Sequence, residues 1–225
     1  MKMKALLLAT IIFPTFVYAN TGSLATPFPG AKKGINIWTE EKLSTTSFTS
    51  DGYNQATWTD ETVNSLFNIL KTARKETNQY RSINNPLDTH LKPDVSNIEL
   101  SFKFTGIPWI GKENILGFSP AGGYKKGKGW DGVVEFVQLP SLCVCSFTTF
   151  AIEKVILSKE SVEYLVNKKP SEKDISGNWN VGFLYHVNWY TDTRRYSLEC
   201  ANKALKPENL KTMISMANQI DTSMS

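Results

Sequence analysis

Residues 181–200, VGFLYHVNWYTDTRRYSLEC, carry the clearest strand signal in the chain. Val181, Phe183, Tyr185, Val187 and Trp189 recur at every second position, which points all five to one face of an extended strand. Thr191-Asp192-Thr193 is a short polar link, and Arg195 to Cys200 is a second β-rich run, so the segment reads as an antiparallel hairpin. Further strands are predicted over Val133–Val137 and along the run from Leu142 to Leu157. Ile98, Leu100, Phe102 and Phe104 alternate with Glu99, Ser101 and Lys103, again with a period of two. One apolar face and one wet face favour an antiparallel sheet.

Helical spacing flanks this β-rich middle. Val63, Leu66, Phe67, Leu70 and Ala73 predict a helix over Asp60–Tyr80, with Thr59 or Asp60 as cap. Lys71, Arg74, Lys75 and Glu76 lie on or beside its other face, and Asn84-Asn85-Pro86 supplies turn chemistry beyond it. After Pro207, the residues Leu210, Met213, Ile214, Ala217 and Ile220 form the apolar stripe of a closing helix. A helical turn is expected over 158–167 and a polar loop over 168–177. Strands clustered between helices, not alternating with them, predict an α+β fold: a single domain over 60–225, with one twisted antiparallel sheet and both helices on one face. Residues 20–59 are rich in Thr, Ser, Gly and Pro and read as an extended, loop-rich segment, in which Ile35, Ile37 and Trp38 could add an edge strand.

Residues 1–19 have the form of a signal peptide. Lys2 and Lys4 precede an apolar run from Ala5 to Phe13, and Val17-Tyr18-Ala19 offers a small-x-small cleavage site. The run is too short to span a bilayer, so the expectation is cleavage and a periplasmic or extracellular location in a bacterium. The formal charge of +4 on the full chain falls to +2 when Lys2 and Lys4 leave with the leader. Such near balance gives no support to nucleic-acid binding. Of three cysteines, Cys200 is expected in a disulfide with Cys145, or with Cys143 as the alternative partner, because an exported protein meets oxidising conditions.

Residues 106–132 hold eight of the fourteen glycines, together with Trp109, Ile110, Ile115, Leu116, Phe118, Tyr124 and Trp130. Read as a binding loop, Gly lets the backbone approach a ligand while Trp109, Tyr124, Lys125, Lys126, Lys128 and Trp130 contact it. Read as plain architecture, the glycines serve turns and the aromatics finish the core. Gly122 to Gly129 falls one residue short of a phosphate-binding loop, since Gly129 replaces the hydroxyl residue and a strand follows where a helix is required. Tyr190, Arg194 and Arg195 of the hairpin add residue types enriched at interface hot spots.

Catalytic side chains are few. Gly117-Phe118-Ser119-Pro120-Ala121 approaches a nucleophile elbow, and Asp131 or Asp174 with His186 would complete a Ser-Asp-His order, but Pro120 and two glycines stand where a helix should begin. Only His90 and His186 are present, which restricts metal and acid–base chemistry. Cys143, Cys145 and His186 fall short of a closed zinc pattern, and a disulfide would consume one ligand. No metal or cofactor is expected. The leading expectation is a non-enzymatic binding module for a protein, glycan or other envelope component. The alternatives are a small secreted hydrolase using Ser119 and His186, and peripheral membrane contact through Trp109, Ile110, Ile115, Leu116 and Phe118.

Overall fold

The computed structural model describes residues 33–38, 53, 57–76, 91–159 and 161–224. The leader 1–19, most of the loop-rich segment, the end of the first predicted helix at 77–80, the Asn84-Asn85-Pro86 turn and His90 lie outside these residues.

The fold is α+β, a single domain with a seven-stranded antiparallel sheet and two helices. In chain order the elements are β1 (Gly34–Trp38), α1 (Thr57–Glu76), β2 (Ile115–Lys125), β3 (Gly129–Leu139), β4 (Cys143–Ala151), β5 (Lys154–Ser158), β6 (Glu163–Val166), β7 (Lys169–Asn178), β8 (Gly182–Tyr190), β9 (Arg194–Asn202) and α2 (Glu208–Ser223). The large sheet runs β2-β3-β4-β9-β8-β7-β6, while β1 and β5 form a separate parallel pair. The predicted hairpin is β8–β9, with Tyr185 opposite Cys200 and Trp189 opposite Tyr196. The run from Leu142 to Leu157 divides at Ile152 and Glu153: β4 stays in the large sheet and β5 leaves it to meet β1.

The helices do not share a face. Tyr185, Val187 and Trp189 of β8, with Phe147, Leu198 and Cys200, pack in one cluster with Met213, Met216, Ala217 and Ile220 of α2. Leu184 of β8, with Phe136, Val144 and Ala201, packs against Val63, Leu66 and Ile69 of α1. The central strands are therefore apolar on both faces near α1, as the unbroken Phe183-Leu184-Tyr185 shows. Each α1 side chain buried this way contributes about 1.5–3 kcal/mol.

Three further expectations are corrected. Residues 98–104 are not a strand: a 3-10 turn at Val95–Asn97 is followed by a single bridge from Leu100 to Trp130. Their alternation reflects burial without ladder pairing, since the Phe104 ring stacks on Phe147 with centroids 6.1 Å apart. The helical turn and polar loop expected over 158–177 are β6 and β7. β6 is only four residues long, and β7 has few apolar residues; cross-strand polar pairs such as Lys173 Nζ to Glu163 Oε2, at 2.9 Å, help hold the two together. The 106–132 loop contains most of the β2–β3 hairpin. Its register shifts between Ile115 and Gly117, where Gly117 has φ +141° and a Cβ would lie 2.6 Å from Leu91 Cγ, so only glycine fits there.

Candidate functional site

The pleat and the two hairpin turns bring several of the sequence-selected residues to one end of the sheet. In the β2–β3 hairpin, Tyr124 is opposite Trp130, with ring centroids 5.6 Å apart, and the Tyr124 hydroxyl donates to Glu99 Oε2 at 3.1 Å. Lys125, Lys126 and Lys128 flank this pair and are exposed. From the β8–β9 hairpin, the Arg194 guanidinium lies 3.8 Å from the Phe102 ring centre and donates to the Asp131 carbonyl at 3.4 Å. Burial pulls the Arg194 pKa down, partly opposed by Tyr196 and Asp131. Phe150 pairs with both Gly132 and Arg195, and Ala151 with Arg194, so β4 holds the two hairpins at matching heights.

Other selected residues are placed elsewhere. Trp109, 40% exposed, lies beside α2 over a shallow depression lined by Asn218, Gln219, Thr222 and Ser223. Tyr190 is buried, and its hydroxyl donates to Glu172 Oε2 at 2.7 Å. Burial pushes the Tyr190 phenol far up, with Glu172 adding to the effect and Arg195 opposing it. Arg195 Nη2 donates to Asn188 Oδ1 at 3.3 Å on the same face.

That face carries a row of polar side chains that sequence reasoning missed. Asp174 of β7 is opposite His186 of β8, and His186 is opposite Glu199 of β9. His186 Nδ1 is 3.0 Å from Asp174 Oδ1, and Nε2 is 3.8 Å from Glu199 Oε1. Burial lowers the imidazole pKa, but the Asp174 hydrogen bond and the Glu199 and Asp174 charges outweigh both it and the opposing Arg195, so the net shift is upward. Glu172–Asn188–Ser197 forms the adjacent rung. His186 Nε2, Arg195 Nε and Ser197 Oγ are buried without hydrogen-bond partners. The signal was available in the hairpin: His186, Asn188 and Tyr190 occupy the phase opposite the apolar set, and pairing through the 191–193 turn puts Arg195, Ser197 and Glu199 beside them.

The hydrolase arrangement is not assembled. Ser119 sits on β2 opposite Val134, and β3, β4 and β9 separate it from His186. Of that proposed set only Asp174 and His186 meet. Cys145 is bonded to Cys200, which leaves Cys143 as the free thiol and takes Cys145 out of any metal set. Among the described residues no three His, Cys, Asp or Glu side chains converge as a metal site. Of the apolar residues expected at a membrane surface, Leu116 and Phe118 are buried, Ile110 and Ile115 half-buried and Trp109 exposed, and no described helix is long and apolar enough to cross a membrane. Compared with family models, with curated proteins and with solved structures, the chain matches none.

Proposed function

We propose that the chain is a non-enzymatic binding module of an exported bacterial protein, and that it engages an envelope component through the end of the sheet formed by the β2–β3 and β8–β9 hairpins. The observation that carries this reading is the grouping of exposed Lys125, Lys126 and Lys128 with the Tyr124–Trp130 pair and the Arg194–Phe102 contact. Hairpins locked into a seven-stranded sheet present such groups with little ordering cost on binding. Three lysines beside aromatic rings favour a partner with negative charge, an acidic protein surface or an acidic glycan. The Cys145–Cys200 bond supports export, since such bonds persist in oxidising compartments.

The test compares the wild-type mature protein with a Lys125→Glu, Lys126→Glu, Lys128→Glu variant. Binding to an immobilised acidic polysaccharide and to envelope extract should be lost in the variant and weakened by salt in the wild type. Retention of every bound component by the charge-reversed variant would overturn the assignment of this surface.

A further inference from the structure

The row Asp174–His186–Glu199 is a chain of three titratable groups on three adjacent strands, in register, with the imidazole in the middle. We propose that it is a proton-operated brace: protonated His186 ties the carboxylates of β7 and β9 together across β8, and the neutral ring releases one of them. This inference goes beyond the binding reading and does not depend on it.

The geometry sets the two states. With Nδ1 3.0 Å from Asp174 Oδ1, the Nδ1 hydrogen points at the carboxylate whether or not the ring is charged. The second proton therefore goes on Nε2, which faces Glu199 Oε1 at 3.8 Å, too long for a hydrogen bond but close enough for strong charge attraction in a site where the His186 side chain is 19% exposed. In the neutral ring, Nε2 is a buried acceptor that no donor reaches. Asp174 from β7 and Glu199 and Arg195 from β9 are the charged groups that bear on the ring among the described residues, and Arg195 alone opposes its charge. On the same face α1 packs the apolar Val63, Leu66 and Ile69, and its carboxylate Asp60, whose Oδ1 accepts from Asn178 Nδ2 of β7 at 2.6 Å, is not among the charges that shift the ring.

The direction follows from linkage. The folded-state pKa of His186 lies above the ordinary imidazole value, so the stabilisation is complete below the unfolded pKa, near about 6.5, and is lost as pH rises through the folded value. The brace is tight in mild acid and slack in mild alkali.

The test is an NMR titration of the His186 imidazole between pH 5 and 9 in the full mature chain, with His90→Gln leaving one ring to observe. The midpoint should lie above that of a free imidazole, and Glu199→Gln, which keeps the shape of the site, should move it down. In a Glu135→Gln background, which removes another group that titrates in this range, Tm should fall between pH 6 and pH 8.5, and His186→Gln should flatten that fall. A midpoint at or below the free-imidazole value, unmoved by Glu199→Gln, would overturn the brace. If His186→Gln does not fold, the Glu199→Gln titration still decides the matter.

Discussion

The indole nitrogen of Trp189 donates to Asp221 Oδ1 at 3.2 Å, which ties the C-terminal end of β8 to the last turns of α2. Asp221 is buried and also receives Asn167 Nδ2 at 2.9 Å and the ammonium of Lys169, so one carboxylate collects β7, β8 and the β6–β7 turn onto a single helix. Asp221→Ala strands the Trp189 N–H in the core and should destabilise the fold by about 2–3 kcal/mol. Urea unfolding at neutral pH measures this. Asp221→Asn, which keeps one acceptor for the indole, should cost less.

Glu135 is a buried carboxyl poised near neutrality. Its Oε2 accepts the Ile107 backbone N–H at 2.9 Å, and burial raises its pKa to about 7 against that hydrogen bond. Because the folded value lies above the unfolded one, stability falls as pH rises through about 7. Glu135→Gln should therefore be close to neutral at pH 5 and stabilising by roughly 2–3 kcal/mol at pH 8.5. Denaturant midpoints at the two pH values give the comparison.

The Cys145–Cys200 bond joins directly opposed residues of β4 and β9 across a sequence separation of 55. Reduction should lower stability by about 4 kcal/mol in the chain-entropy account. Cys143→Ser should leave the bond intact, as mass spectrometry of the non-reduced protein would show, because the Cys143 thiol is free.

At Gly117 the positive φ and the Leu91 side chain act together. Gly117→Ala should cost about 1–3 kcal/mol from backbone strain alone, before the clash is counted. It should also loosen the paired hydrogen bonds between Lys92 and Phe118, at 2.6 and 2.7 Å, which hydrogen exchange at those amides would register.

The elements legible in the sequence were those whose apolar residues keep one period over several turns or pleats. The β8–β9 hairpin, α1, α2 and the β1 edge strand follow from Phe183 to Trp189, Val63 to Leu70, Leu210 to Ile220, and Ile35 to Trp38. β7 was not legible, because Lys169 to Asn178 contains one buried large apolar side chain, Ile175, and is held by partners that become visible only once the register is known. β2 was hidden by its glycines and Pro120, which read as turns although they serve a bulge and an edge position. The basic, aromatic end was legible residue by residue, while the Asp174–His186–Glu199 row was not, since its members come from three strands. Trp109 fits neither group: the sequence left open whether it is exposed or in the core, and nothing local tied it to α2.

The strand order has a mechanical meaning. β2-β3-β4 and β6-β7-β8-β9 are each built from sequence neighbours, and within the sheet the seam between β4 and β9 is what pairs one set with the other. A protease that cuts once between β5 and β6 would spare both meanders. The fragments would stay covalently joined through the cystine set in that seam, and would come apart on a gel only after a reducing agent is added.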